Sequence, residues 1–113
     1  MSTTTAKPLF TPLQALAAQS TLYTAPASTR TIIDKFTATN TTGTAATIVV
    51  NLVSSGGSAN AANNITATRT VGPGEVYTFP ELVGHVLAAG DFISAIAGTA
   101  SAITLRASGR ELT

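Results

Sequence analysis

Residues Arg30 to Val53, RTIIDKFTATNTTGTAATIVVNLV, decide the fold class. From Arg30 to Thr39 an extended chain puts Ile32, Asp34, Phe36 and Ala38 on one face and Ile33, Lys35, Thr37 and Thr39 on the other. The Phe36 face is the expected core face. Asn40-Thr41-Thr42-Gly43 has turn chemistry, and alternation then resumes with Ala46, Ile48, Val50 and Leu52 opposed by Thr47, Val49, Asn51 and Val53. Both of these faces are largely apolar, as in a central strand covered on both sides. Left at an edge, the run Thr47 to Val53 would be a template for aggregation, so it must be paired or covered.

The same grammar continues outward in both directions. Thr21 to Thr24 is a short β-branched run stopped by Pro26; Ile65 to Val71 is another, followed by the tight turn Gly72-Pro73-Gly74-Glu75. Val76 to Phe79 ends at Pro80, and Asp91 to Ile96 and Ala102 to Ala107 form a closing pair around Gly98-Thr99-Ala100. Short runs at this spacing predict an all-β protein over residues 20–113: a single antiparallel β-sandwich, jelly-roll or Ig-like, of about seven to eight strands. Phe36, Ile48, Val50, Leu52, Phe79, Phe92, Ile96 and Leu105 are expected to point inward. Ser54 to Asn64 has no periodicity and reads as a long surface loop, and loops of that length are usually functional or disordered. Glu81 to Gly90 packs Leu82, Val83, Val86 and Leu87 into a segment too short for a substantial helix. Residues 1–19 read as an extended, Thr-rich N-terminal arm. Within it Thr11-Pro12-Leu13-Gln14 forms a capping box that predicts a short helix through Leu16-Ala17-Ala18.

Composition limits the function classes. The chain has 113 residues, 21 of them Thr and 20 Ala, and only 10% are charged, against about 25% in an average soluble domain. Such a chain holds one domain with a thin core, and without cysteine it has no disulfide or thiolate metal site to strengthen it. Packing against other copies or partners is therefore expected, and a surface poor in charge suits an interface. Net charge is +1, and Lys7, Arg30, Lys35, Arg69, Arg106 and Arg110 are scattered, which argues against a nucleic-acid partner. Met1 to Pro8 lacks the basic start and apolar stretch of a secretory signal, and no window approaches a membrane span. The expectation is a protein made in a cytosol and soluble there or on assembly, with no membrane partner.

No residue pattern demands chemistry. His85 is the only histidine, and no serine lies in a Gly-x-Ser-x-Gly elbow that would make it part of a hydrolytic triad. One imidazole with Glu81 and Asp91 nearby is not a spaced metal-ligand set. Glu75 and Glu81 flank a strand as a glycosidase pair could, yet each reads more simply as a turn or loop residue. Ser54-Ser55-Gly56-Gly57-Ser58 lacks the lysine and helix of a phosphate loop. Asn40-Thr41-Thr42 and Asn64-Ile65-Thr66 match the glycosylation pattern but read as polar turns. The expectation is no enzyme, with no catalytic, cofactor-binding or metal-binding residues and no cofactor.

Four stretches of the sequence carry a family resemblance: Thr21-Leu22-Tyr23-Thr24-Ala25-Pro26-Ala27, the two runs Arg30 to Thr41 and Ala46 to Val50, and Gly74-Glu75-Val76-Tyr77-Thr78-Phe79-Pro80. Together, over about residues 20–108, they resemble small virion proteins of tailed bacteriophages and prophages. The resemblance implies a non-enzymatic β-sandwich displayed on a virion in many copies. In that setting the expected role is a capsid decoration or cement protein that binds the major capsid protein or other virion proteins, with the arm as its clamp. A tail, neck or fibre-associated protein is the nearest alternative, and a carbohydrate-binding or adhesin module the next.

Overall fold

The computed structural model describes residues 3–113. Ten strands follow in order: β1 (Thr4–Pro8), β2 (Leu13–Gln14), β3 (Ser20–Thr24), β4 (Arg30–Asn40), β5 (Ala46–Val53), β6 (Arg69–Val71), β7 (Val76–Thr78), β8 (Val86–Leu87), β9 (Phe92–Ala97) and β10 (Ile103–Leu112). One 3-10 turn, Ala61–Asn63, interrupts the β5–β6 connection. All pairings between strands are antiparallel. One sheet has the order β1-β10-β4-β7, with β2 added to β10 and β8 to β4; the other has the order β3-β9-β5-β6. With the two-residue strands β2 and β8 set aside, the remaining eight, numbered along the chain, read 1-8-3-6 in one sheet and 2-7-4-5 in the other. This double Greek-key order is a jelly roll, so of the two expected sandwiches the chain forms that one.

The N-terminal arm is what completes the order. The helix expected from Thr11 is replaced by extended chain: Leu13 and Gln14 pair with Leu105 and Thr104, and the Ala15 N–H donates to the Ile103 carbonyl at 2.7 Å. Ahead of them β1 runs along the same edge of β10, from Thr4 opposite Leu112 to Pro8 opposite Ser108. A two-turn helix is marginal in isolation, whereas β10 offers a ten-residue edge whose main-chain groups need partners. Leu9 and Ala15 are buried as a result, so the sandwich begins at β1 rather than at residue 20.

The core lies between the sheets, around Phe36, Phe79, Ile48, Val50 and Leu105, all fully buried as expected. Phe79 meets Phe36 edge-on at 5.2 Å, and Phe10 closes the other side of Phe36 at 5.9 Å. Leu52 is half-buried and packs on the rim of this cluster. Two parts of the expected core differ. In β4 the alternation breaks at Asp34, which has no partner between Lys35 opposite Ser108 and Ile33 opposite Gly109. This β-bulge turns Ile33 inward with Phe36, leaving Ile32 half-buried. In β9 the buried face is Ile93, Ala95 and Ala97, and Phe92 and Ile96 are half-exposed on the outer face. Both faces of β9 are apolar, so alternation alone could not choose between them.

Candidate functional site

Each residue weighed for chemistry has a local role in the structure. Glu75 accepts a hydrogen bond from the Gly72 N–H at 2.8 Å, closing the turn into β7. Both Glu81 oxygens accept from the Tyr77 hydroxyl, at 2.9 and 2.7 Å, which holds the Glu81 carboxyl below its ordinary range and pushes the phenol up. Asp91 accepts from the Ser55 and Ala88 N–H groups, both at 3.0 Å, tying the loop after β5 to the start of β9. His85 is exposed; its carbonyl continues the β8–β4 pairing by accepting from Ile33. It shares a polar cleft of about 370 Å³ with Asp91, Asn63 and Asn64, while Glu81 is engaged with Tyr77 instead. Among the described residues no three of His, Asp and Glu gather as a metal-ligand set.

Two polar clusters were not singled out from the sequence. Asn51, 2% exposed on the outer face of β5, donates to the Asn60 carbonyl and to the side-chain oxygens of Asn63 and Asn64. The loop Ser54 to Asn64 is thereby folded back over its own sheet. The signal was present in the four asparagines, whose carboxamides bond readily to nearby backbone and to one another. The second cluster lies between the sheets. The Tyr23 hydroxyl donates to Glu111 and shares a 2.8 Å hydrogen bond with Thr31, and Lys7 pairs with Glu111 at 3.5 Å. This cluster joins β1, β3, β4 and β10, and burial followed by the Glu111 hydrogen bond pushes the Tyr23 phenol up to about 12.

The outer face of the six-stranded sheet is different in kind. Its outward positions in β10 and β4 include Arg106, Ser108, Arg110, Lys35 and Thr37, and no segment among the described residues folds over the exposed Lys35, Arg106 and Ser108. Arg110 forks onto Asp34, with nitrogen–oxygen distances of 3.0 to 3.2 Å. Between Lys35, Thr37, Arg106 and Ser108 lies a shallow depression of about 250 Å³. No helix among the described residues is long and apolar enough to cross a membrane.

Known proteins share this architecture. A chain of the disulfide-linked pili of Bacillus endospore appendages superposes with a TM-score of 0.52 at 15% identity, over 99% of this chain and 88% of that one. A chain in the structure of infectious bursal disease virus, Gx strain, superposes with a TM-score of 0.54 at 15% identity, over 99% of this chain and 32% of that one. The likeness is one of fold. No protein-family model and no curated protein matches the sequence. Both solved neighbours are components of assembled structures, a pilus and a virus. The present chain has no cysteine, so the disulfide linkage named for the pili is not open to it.

Proposed function

We propose that the chain is a virion structural protein of the tailed-phage kind, a capsid decoration or cement subunit that binds between major capsid proteins in many copies. The observation that carries this reading is the jelly roll, a fold suited to packing in arrays and found here with a surface poor in charge. The engagement of Glu75, Glu81 and Asp91 in their own turns and loops supports a role exerted through surfaces rather than chemistry. Within the N-terminal arm β1 suits the clamp: it is exposed along most of its length and held to β10 mainly by main-chain pairing. A strand held this way is suited to pairing with a neighbouring subunit's sheet edge.

A filament subunit is the second reading, favoured by the match along 88% of the spore-appendage chain. Links between copies would then be non-covalent. A tail or neck location remains the alternative within the virion. The carbohydrate-binding reading loses both of its aromatic platforms, since Tyr23 is buried and the Arg69 guanidinium covers the Tyr77 ring at 3.9 Å. Electron microscopy of purified particles labelled through this protein distinguishes the rest. Label over the whole head is expected, label at one vertex or the tail selects the alternative, and label on filaments without heads overturns the virion reading.

A further inference from the structure

We propose that the depression between Lys35 and Arg106 on the outer face of the six-stranded sheet docks an acidic segment of a partner protein. This follows from the β-bulge. In a regular strand Asp34 and Lys35 would point to opposite faces, but the extra residue at Asp34 leaves both exposed. The backbones approach closely at the bulge: a Cβ on Gly109 would lie 2.3 Å from the Ile32 carbonyl oxygen, so no larger residue fits there without moving backbone. Arg110 then neutralises Asp34. Lys35 and Arg106 have no carboxylate within ion-pair distance among the described residues, and they flank the depression with the hydroxyls of Thr37 and Ser108.

Two cations with two hydroxyls on a rigid sheet match carboxylates, for which arginine supplies paired donors and lysine a point charge. The face is too small and too lightly charged to follow a phosphate backbone, because its surplus is two charges. An acidic protein segment needs no more than this for orientation and register. The inference does not depend on whether the assembly is a virion or a filament.

The test is an amide-shift NMR titration of the full chain at low salt with a hexaglutamate peptide, with inorganic phosphate and an eight-nucleotide DNA strand as comparison probes. Saturable shifts at Lys35, Thr37, Arg106 and Ser108 are expected with the peptide, weakened at least tenfold in Lys35→Gln/Arg106→Gln. Both side chains are exposed, so the variant folds as the parent does, which its unchanged spectrum elsewhere would show. Peptide shifts that persist in the variant, or cluster around Arg30 or Arg69 instead, overturn the proposal. So does tighter binding of the DNA strand or of phosphate than of the peptide.

Discussion

The two outer faces of the sandwich are treated in opposite ways by the same chain. On the four-stranded sheet, Asn51 and Ser94 are 2% exposed. The asparagine loop bonds to the first, and Gln19 donates to the second at 2.7 Å. On the six-stranded sheet, Arg106, Ser108 and Lys35 are left bare. A chain with only 10% charged residues places three of its six cations on that bare face. The chain thus covers one outer face of the sandwich with its own loop and leaves much of the other open.

The largest effect is expected in the core between the two sheets. Phe36→Ala removes the ring that Phe79 and Phe10 pack against, and is expected to cost about 3–5 kcal/mol in urea unfolding, enough to unfold a marginal domain. Phe92→Ala, half-exposed on the covered sheet, is expected to cost about 1 kcal/mol. Equal losses would place Phe92 in the core after all.

Asn51→Ala comes next. It strips one buried donor from three acceptors, with an expected cost of about 2 kcal/mol and faster hydrogen exchange over Ser54 to Asn64. Unchanged exchange would mean that the loop is held by something else.

Tyr23→Phe is expected to cost about 1 kcal/mol at neutral pH, the usual net worth of a hydrogen bond. Its stronger signature is in pH. An unfolded tyrosine loses its proton near 10 and the folded Tyr23 near 12, so its contribution is complete below pH 10 and is lost as pH rises through that window. Stability curves measured from pH 9 to about 12 should converge for wild type and Tyr23→Phe, as the wild type loses what the variant never had. Parallel curves would contradict the assignment. The smallest effect is expected on the bare face, where Lys35→Gln and Arg106→Gln each change stability by about 0.5 kcal/mol or less.

Much of the sandwich was legible in sequence because alternation and turn residues act locally. The turn at Gly72 to Glu75 and the inward Phe36, Ile48, Val50 and Leu105 follow from spacing alone. What spacing did not reveal depends on partners distant in the chain. The bulge at Asp34 lies against Gly109, some seventy positions later, and Leu13 and Gln14 form a strand by pairing with β10. The face of β9 is set by packing against the neighbouring sheet, which buries Ile93, Ala95 and Ala97. The bare basic face was hidden for the same reason: cations scattered in sequence at Lys35, Arg106 and Arg110 become neighbours only when β4 pairs with β10.

If the chain docks in an assembly through its uncovered face, as proposed, the number of copies retained on purified particles depends on Lys35 and Arg106. Wild type, Lys35→Glu/Arg106→Glu and Ala62→Glu, the last on the exposed covering loop, would be added in excess to particles lacking the protein, sedimented and quantified. Wild type and Ala62→Glu should saturate at the same number of copies per particle, and the double reversal should retain less than about a tenth of that number. Equal retention of all three, or loss of Ala62→Glu alone, would contradict docking through that face.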